Sequence, residues 1–337
     1  MLSEEQVMLR DAAKQIVDAE AGGSRFRALR DAGETTDAAL WSKLVELGFA
    51  GVPLPESAGG MGMGLAELAV IMEELGRGLA AVPLLSAVLG GTLDPEGVAA
   101  GRVVALAWRE SPRGFDAECC ATRVLGGKIT GRKLHVIDGA VADAFVVSAM
   151  EDGEIALYSV ARDQGAVGVL DRVDQRNAAH VTFEAAECVR LPGGIAELRA
   201  ALDLGTVALA AEMLGGASAA LELTLAYLRE RVQFDKPIGS FQALQHRAVD
   251  CYVQLELARV AVAAAAAEPT PSLVSLAKAR CNDVYMHIGK EAVQLFGGIG
   301  MTDEHDIGFH LKRAMVASRT LGDSAWHRDR WGRERGY

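Results

Sequence analysis

Apolar residues recur at helical spacing through almost all of the chain beyond Ile195, and this periodicity restricts the fold more than any other feature. Four runs carry it, at about 195–232, 241–267, 272–296 and 304–321. Side chains at i, i+3, i+4 and i+7 share one face of a helix, whereas a strand scatters them over both faces. Long helices joined by short connections must lie antiparallel, so the runs predict a C-terminal four-helix bundle. Alanine and leucine dominate, and aromatics are only 5% of residues although hydrophobics are 50%. Small side chains of this kind favour helix-on-helix packing over a large β-structure. With 337 residues the chain is long enough for roughly two or three domains and a large core.

The segments ahead of the bundle follow other periods. Ser3-Glu4-Glu5-Gln6 reads as a helix N-cap with an acidic first turn, followed by Val7, Leu9, Ala12, Ala13, Ile16 and Val17 at helical spacing. A second amphipathic helix runs from Asp37 through Trp41, Leu44, Val45 and Leu47, and a third starts at Leu65. Between them, Val52 to Gly62 holds too much proline and glycine to be helical. From Val103 the pattern changes to short β-branched runs separated by Gly and Asp: 103–108, 121–124, 128–136, 144–148, 155–159 and 180–183. The fold class expected is α+β. Residues 1–100 form an N-terminal helical domain, 101–192 a middle antiparallel β-domain, and 193–337 the helical bundle.

The formal charge of −11 argues against a nucleic-acid partner. Basic residues gather after His310 (Lys312, Arg313, Arg319, Arg328, Arg330, Arg333, Arg335) and read as a solvated terminal segment. The N-terminus lacks the basic and apolar parts of a signal peptide, and the alanine-rich stretch 260–267 is too short to span a membrane. Cys119, Cys120, Cys188, Cys251 and Cys281 have no metal-ligand spacing, so no metal is expected. The expectation is a reduced cytoplasmic protein without a membrane partner.

Two short runs carry chemistry. Arg231-Val232-Gln233-Phe234-Asp235-Lys236-Pro237-Ile238-Gly239-Ser240-Phe241-Gln242 sets an arginine, glutamines and aromatics around a Pro-Ile-Gly turn between two long helices. Gln294-Leu295-Phe296-Gly297-Gly298-Ile299-Gly300 closes a later helix. Alone, each is equally a helix corner or a C-cap. Together the two runs resemble the acyl-CoA dehydrogenase family, in which such stretches hold the phosphates and adenosine of FAD. Forked arginine bonds suit a pyrophosphate, and glycines after a helix let backbone approach a ligand. The resemblance covers the whole chain, including Pro55-Glu56 and Gly59-Gly60, and is strongest from Leu204 onward. It implies that Arg231, Gln233, Phe234, Gln242, Gln294, Gly297 and Gly298 contact the adenosine diphosphate half of FAD. Asp235 departs from the family's usual glycine and sets a carboxylate near that pyrophosphate.

The resemblance also implies a reaction whose principal groups this chain lacks. Family members remove the α-proton of an acyl-CoA thioester with a carboxylate and pass the β-hydrogen to the flavin as hydride. One base position falls on Leu321 within Thr320-Leu321-Gly322-Asp323; the other falls on Gly205, after Leu202-Asp203-Leu204. Asp323, Asp203 and Glu212 are nearby carboxylates, each displaced. The flavin-ring loop is reduced to Arg109-Glu110-Ser111-Pro112-Arg113-Gly114-Phe115-Asp116, and the family's Trp-Ile-Thr becomes His135-Val136-Ile137. His135 reads as a partly buried strand histidine.

In this family each FAD lies at a subunit interface, so a chain keeping only the adenosine side can still complete a neighbour's site. The chain resembles the short subunits of bacterial sterol side-chain acyl-CoA dehydrogenases, which form α₂β₂ complexes with one complete site per pair. The segment Gly298–Asp306 carries the same likeness. Electron-transferring flavoprotein is the acceptor that the resemblance implies. Three readings stand: a subunit of a hetero-oligomeric dehydrogenase with a paralogous partner; a complete self-associating enzyme with an unconventional base; or an assembly protein on the same scaffold without FAD.

Overall fold

The computed structural model describes residues 2–337. Helices α1 (Glu4–Glu20), α2 (Gly23–Asp31), α3 (Ala38–Glu46), α4 (Leu65–Arg77), α5 (Leu84–Gly91) and α6 (Pro95–Ala99) come first. Strands β1 (Val104–Ala107), β2 (Arg123–Leu125), β3 (Lys128–Ile137) and β4 (Ala144–Glu151) follow. The sheet is completed by β5 (Glu154–Ala161), β6 (Gly165–Val169), β7 (Ala178–Glu187) and β8 (Val189–Gly194). Beyond it lie α7 (Ile195–Glu230), a small hairpin of β9 (Val232–Gln233) and β10 (Lys236–Pro237), α8 (Gln242–Ala267) and α9 (Pro271–Phe296). Helices α10 (Ile307–Ala317) and α11 (Ser324–Glu334) end the chain. This is the expected α+β order of helices, sheet and helices.

The chain divides into two compact units. The first gathers the residues up to Asp31, Ala69–Ala80 and Thr206–Tyr337. Its helix ends follow from local sequence. Ser3 closes a capping box on α1, its Oγ accepting from Gln6 N at 3.1 Å while Gln6 Oε1 accepts from Ser3 N at 3.0 Å. Thr270 caps α9, which opens on Pro271. The central part of helix α7 is apolar around most of its circumference and therefore buried, with Val207, Ala208, Leu209, Ala210 and Ala211 all inside. By length and composition it could cross a membrane, but 94% of that apolar window is buried within the chain. It is a core helix.

The second unit, Ala32–Leu68 and Ala81–Gly205, holds the sheet. Strand order is β6-β7-β3-β2-β4-β5-β8, with β1 paired to β4. Most neighbours are antiparallel, but β1 and β2 both meet β4 in parallel. Ile129, Val136, Phe145, Val147, Val181 and Phe183 form its core, and Phe145 meets Phe183 edge-on at 6.0 Å.

One ion pair lies inside this sheet. Lys133 is fully buried, and its Nζ donates to Glu110 Oε1 at 2.6 Å, Ser148 Oγ at 3.1 Å and Trp108 O at 3.3 Å. Glu110 also accepts from the backbone of Ala121 at 2.6 Å and Thr122 at 3.0 Å. Burial by itself raises the Glu110 carboxyl, but the Lys133 charge and these hydrogen bonds outweigh it and bring it down to about 2. Replacing Lys133 with methionine strands the carboxylate and should remove about 3–5 kcal/mol of stability at pH 7, read by urea unfolding. Because the folded carboxyl is depressed, its contribution is complete above the ordinary carboxylate range and disappears as pH falls towards 2. The gap between native protein and Lys133→Met should therefore close over that interval; a gap under about 1 kcal/mol at pH 7 contradicts the assignment.

Candidate functional site

The two chemistry-bearing runs meet at one end of the first unit. Leu228 of α7, Ala248 of α8 and Leu295 of α9 pack together, with Leu225, Ile238 and Leu244 against them. Tyr227 stacks on Phe296 at 4.2 Å between centroids, and its hydroxyl donates to Phe296 O at 3.4 Å. Ile238, directly after the hairpin, thus joins the same apolar cluster as Leu295 near the terminus of α9.

Its shape has a local cause. Gln233 and Lys236 pair across the hairpin, and both tip residues are left-handed, Phe234 at φ 57° and Asp235 at φ 62°. That is the geometry of a tight primed turn, and it explains why glycine would serve at position 235. Aspartate tolerates the conformation better than most side chains. Gly239 is needed for a different reason: a Cβ there would lie 2.8 Å from Leu228 O, so any side chain would push the turn off α7. At the other run α9 stops at Gly297, with φ 65° and ψ −140°, outside the range that L-residues favour.

The surfaces of both runs are open. Arg231, Gln233, Phe234, Gln242, Gln294, Gly297 and Gly298 are all exposed, Phe234 to 85%. The Arg231 guanidinium has no carboxylate partner among the described residues. Gln233 turns its amide back to Val232 O at 2.7 Å. A hollow of about 440 Å³ is lined by Lys290, Val293, Gln294, Gly297, Gly298, Met301 and Leu311. Ideal Cβ atoms at Gly297 and Gly298 would meet nothing within 4 Å, so the bare backbone there faces open space rather than packed side chains. An exposed arginine, a lysine-bordered hollow and accessible backbone suit an elongated anionic ligand with an apolar ring.

Leu321 and Gly205, the two positions that the sequence resemblance assigns to a base, are both enclosed. Leu321 is buried and strained at φ 55°. Its turn is held through backbone carbonyls: Leu321 O accepts from His327 Nε2 at 3.0 Å, and Gly322 O accepts from Lys278 Nζ at 3.2 Å and Asn282 Nδ2 at 3.3 Å. Lys278 is fully buried and also donates to Asn282 Oδ1 at 2.5 Å and Ala317 O at 3.0 Å. Burial brings its ammonium down to about 7, and brings the His327 imidazole down to about 3. Asp323 is the N-cap of α11, its carboxylate accepting from Trp326 N at 3.0 Å. Gly205 is shut in by α5: a Cβ there would lie 2.2 Å from Leu89 Cδ2. Asp203 is half-buried in the early turns of α7 and already engaged. Glu212 is buried and accepts from Arg313 Nη1 at 3.3 Å. Arg313, grouped above with a solvated basic segment, is therefore an interior residue.

In the sheet unit, the loop from Arg109 to Asp116 closes on itself. Arg109 donates to Ser111 O at 2.9 Å and Pro112 O at 2.6 Å, and its guanidinium lies 4.4 Å over the Phe115 ring. His135 reaches the surface with its ring still partly desolvated, because the β3–β7 register slips between Lys133 and Val136 and turns His135 to φ 52°. Its N–H donates to His180 Nδ1 at 3.1 Å, and the two rings meet edge-on at 5.0 Å. Burial, then the charges of Arg109, His180 and Arg172, hold the His135 imidazole below its ordinary range.

Sequence reasoning missed Lys278, His327 and the residues that border the hollow, Lys290, Val293, Met301 and Leu311. A lysine and an asparagine four apart on an apolar helix were the available signal for the first.

The family model described as acyl-CoA dehydrogenase, C-terminal domain, matches residues 193–335, and that for the N-terminal domain matches residues 3–94. Acyl-CoA dehydrogenase IpdE2 of Mycobacterium tuberculosis is 35% identical over 322 residues, 94% of this chain and 93% of that protein. A chain of the ChsE4-ChsE5 complex from Mycobacterium tuberculosis has a TM-score of 0.91 at 29% identity, covering 99% of this chain and 98% of its own. A chain of the Tcur3481-Tcur3483 steroid ACAD G363A variant has a TM-score of 0.89 at 33% identity, with 98% and 97% covered.

Proposed function

The chain belongs to the acyl-CoA dehydrogenase family, whose members are oxidoreductases, and from that premise we propose that it is one subunit of an FAD-dependent acyl-CoA dehydrogenase. It supplies the adenosine side of the flavin site and an assembly surface, while a paralogous partner supplies the base and the ring side. The observation that carries this reading is one apolar cluster, Leu228, Ile238 and Leu295, that joins the base of the Arg231 hairpin to the end of α9, where the Gly297 turn borders an open hollow. FAD, when bound, would accept the hydride of α,β-desaturation. In this chain Arg231 would fork onto the diphosphate, and Gln294 with the Gly297-Gly298 backbone would hold the adenosine end. Asp235, at the hairpin tip, sets an unfavourable charge near that diphosphate.

Hetero-assembly is supported by the relatives, two of which come from structures of paired chains. The surface of α8 supports it too. Val249, Tyr252, Val253, Leu257 and Val260 stand 47% to 68% exposed on that helix, more apolar surface than an isolated helix face usually leaves in water. The steroid wording in one relative's name suggests a bulky acyl group, and electron-transferring flavoprotein is the acceptor we propose. A complete self-associating enzyme is the weaker reading, because Asp323 already serves as a cap.

Replacing Arg231 with alanine tests the assignment. Losing a charge-assisted fork worth about 1.5–3 kcal/mol should weaken flavin binding in the assembly roughly tenfold to a hundredfold. Equilibrium flavin retention equal to native would refute the site.

A further inference from the structure

We propose that α2 is a clamp on the loop that carries Gly297 and Gly298, with Arg27 and Arg30 acting as positioning residues for flavin binding; this rests on the flavin reading above. The loop runs from the end of α9 to the start of α10 and leaves its large apolar side chains, Ile299 and Met301, exposed instead of using them as anchors. Glycines occupy 297, 298 and 300, and most residues from Gly297 to Glu304 are exposed. One end is fixed by the Tyr227–Phe296 stack, and His305, near the far end, folds back onto it with its ring 4.4 Å from Phe296. The other end is held from a distant part of the chain.

Arg30 grips Asp303 with both terminal nitrogens, Nη1 to Oδ1 at 2.6 Å and Nη2 to Oδ2 at 2.8 Å. Arg27 bridges the two aspartates, donating from Nη1 to Asp303 Oδ2 at 3.0 Å and from Nη2 to Asp306 Oδ1 at 2.7 Å. Both guanidinium groups also lie over the Phe309 ring, at 4.8 and 5.2 Å from its centroid, and Phe26 packs on the same ring at 4.9 Å. Asp306 sits close over the first turn of α2, where a Cβ on Gly23 would come within 2.1 Å of its Oδ2. The arginines are three residues apart on a helix and the aspartates three apart on the loop, so the two pairs are complementary in spacing as well as charge.

An isolated exposed ion pair contributes little, but here the bonds are forked, shared and backed by an aromatic ring. Regions with few buried contacts open at low free energy, so constraints of this kind decide how much of the time the loop is in place. A ligand that needs the ordered loop binds more weakly by the fraction of time the loop is away.

The test uses the flavin-loaded assembly and compares Arg30→Ala, Asp303→Asn, the charge-swapped pair Arg30→Asp with Asp303→Arg, and Arg231→Ala. The clamp predicts roughly tenfold weaker FAD binding in each single clamp variant and substantial recovery in the swapped pair. Amide hydrogen exchange should accelerate over residues 297–306 and stay unchanged in α7 and α9. Arg30→Lys, which keeps the charge and loses the fork, should fall between native and alanine, and serves if the alanine variant folds poorly. Flavin loss in Arg231→Ala with none in the clamp variants overturns the clamp and leaves the cofactor site standing. Faster loop exchange without flavin loss also overturns it, since the loop then moves without consequence. Exchange that accelerates throughout the unit means general destabilisation and overturns it as well. If Arg231→Ala keeps its flavin, the cofactor reading fails first and the clamp loses its purpose.

Discussion

Alone, this chain should oxidise acyl-CoA at least a hundredfold more slowly than the assembly with its partner, because a positioned general base typically contributes ~10²–10⁴-fold. Leu321 cannot take a proton, and Gly205 faces Leu89 so closely that even a Cβ does not fit. Asp323 could leave its cap only by giving up the bond to Trp326 N, which typically stabilises a helix end by ~1 kcal/mol. Glu212 is tied to Arg313 in the interior. Anaerobic bleaching of flavin by an acyl-CoA, followed on the isolated chain and on the assembly, measures the difference. Bleaching at comparable rates would show that a base has been overlooked, and Asp323→Asn and Asp203→Asn would then identify it.

The assembly should contain one FAD for every two chains. A flavin needs a diphosphate-binding side and a ring-binding side, and on the reading proposed above this chain supplies only the first. Where the resemblance would put the ring, Arg109 holds the 109–116 loop shut over Phe115, and His135 leaves the strand register to meet His180. Opening that loop would break two arginine hydrogen bonds and a cation–π contact before any ring contact formed. The site built on this chain's sheet should therefore stay empty, while the site built on the partner's sheet fills. Flavin absorbance against total protein, on an assembly of mass-verified subunit ratio, checks the number. A value near one per chain would mean that the Arg109 loop opens and that the ring side is intact.

Helices and strands were legible where the pattern is local. The runs expected at 195–232, 241–267 and 272–296 appear as Ile195–Glu230, Gln242–Ala267 and Pro271–Phe296. Ser3 and Asp37 cap the helices their sequences announced. The fourth run was less clear: α10 ends at Ala317, and the apolar residue Leu321 belongs to a strained turn instead. Strands β6 and β8 escaped notice because Gly165, Gly168 and Pro192-Gly193-Gly194 read as loop. Helix α2, polar over much of its length, offered no long apolar period.

The amino-acid sequence by itself determined the order of helical and β-regions, the bounds of the three longest helices and the family, because capping, periodicity and short motifs depend on residues within a few positions of one another. It also located the two runs that could hold an adenosine diphosphate. Only the tertiary structure decided that Asp323 is a cap, that Leu89 closes position 205, and that Arg313 is interior. It alone brought Arg30 to Asp303, 273 residues away. Such pairings are set by how helices cross and how a strand slips its register, and those geometries follow from the packing of many side chains at once rather than from any local pattern.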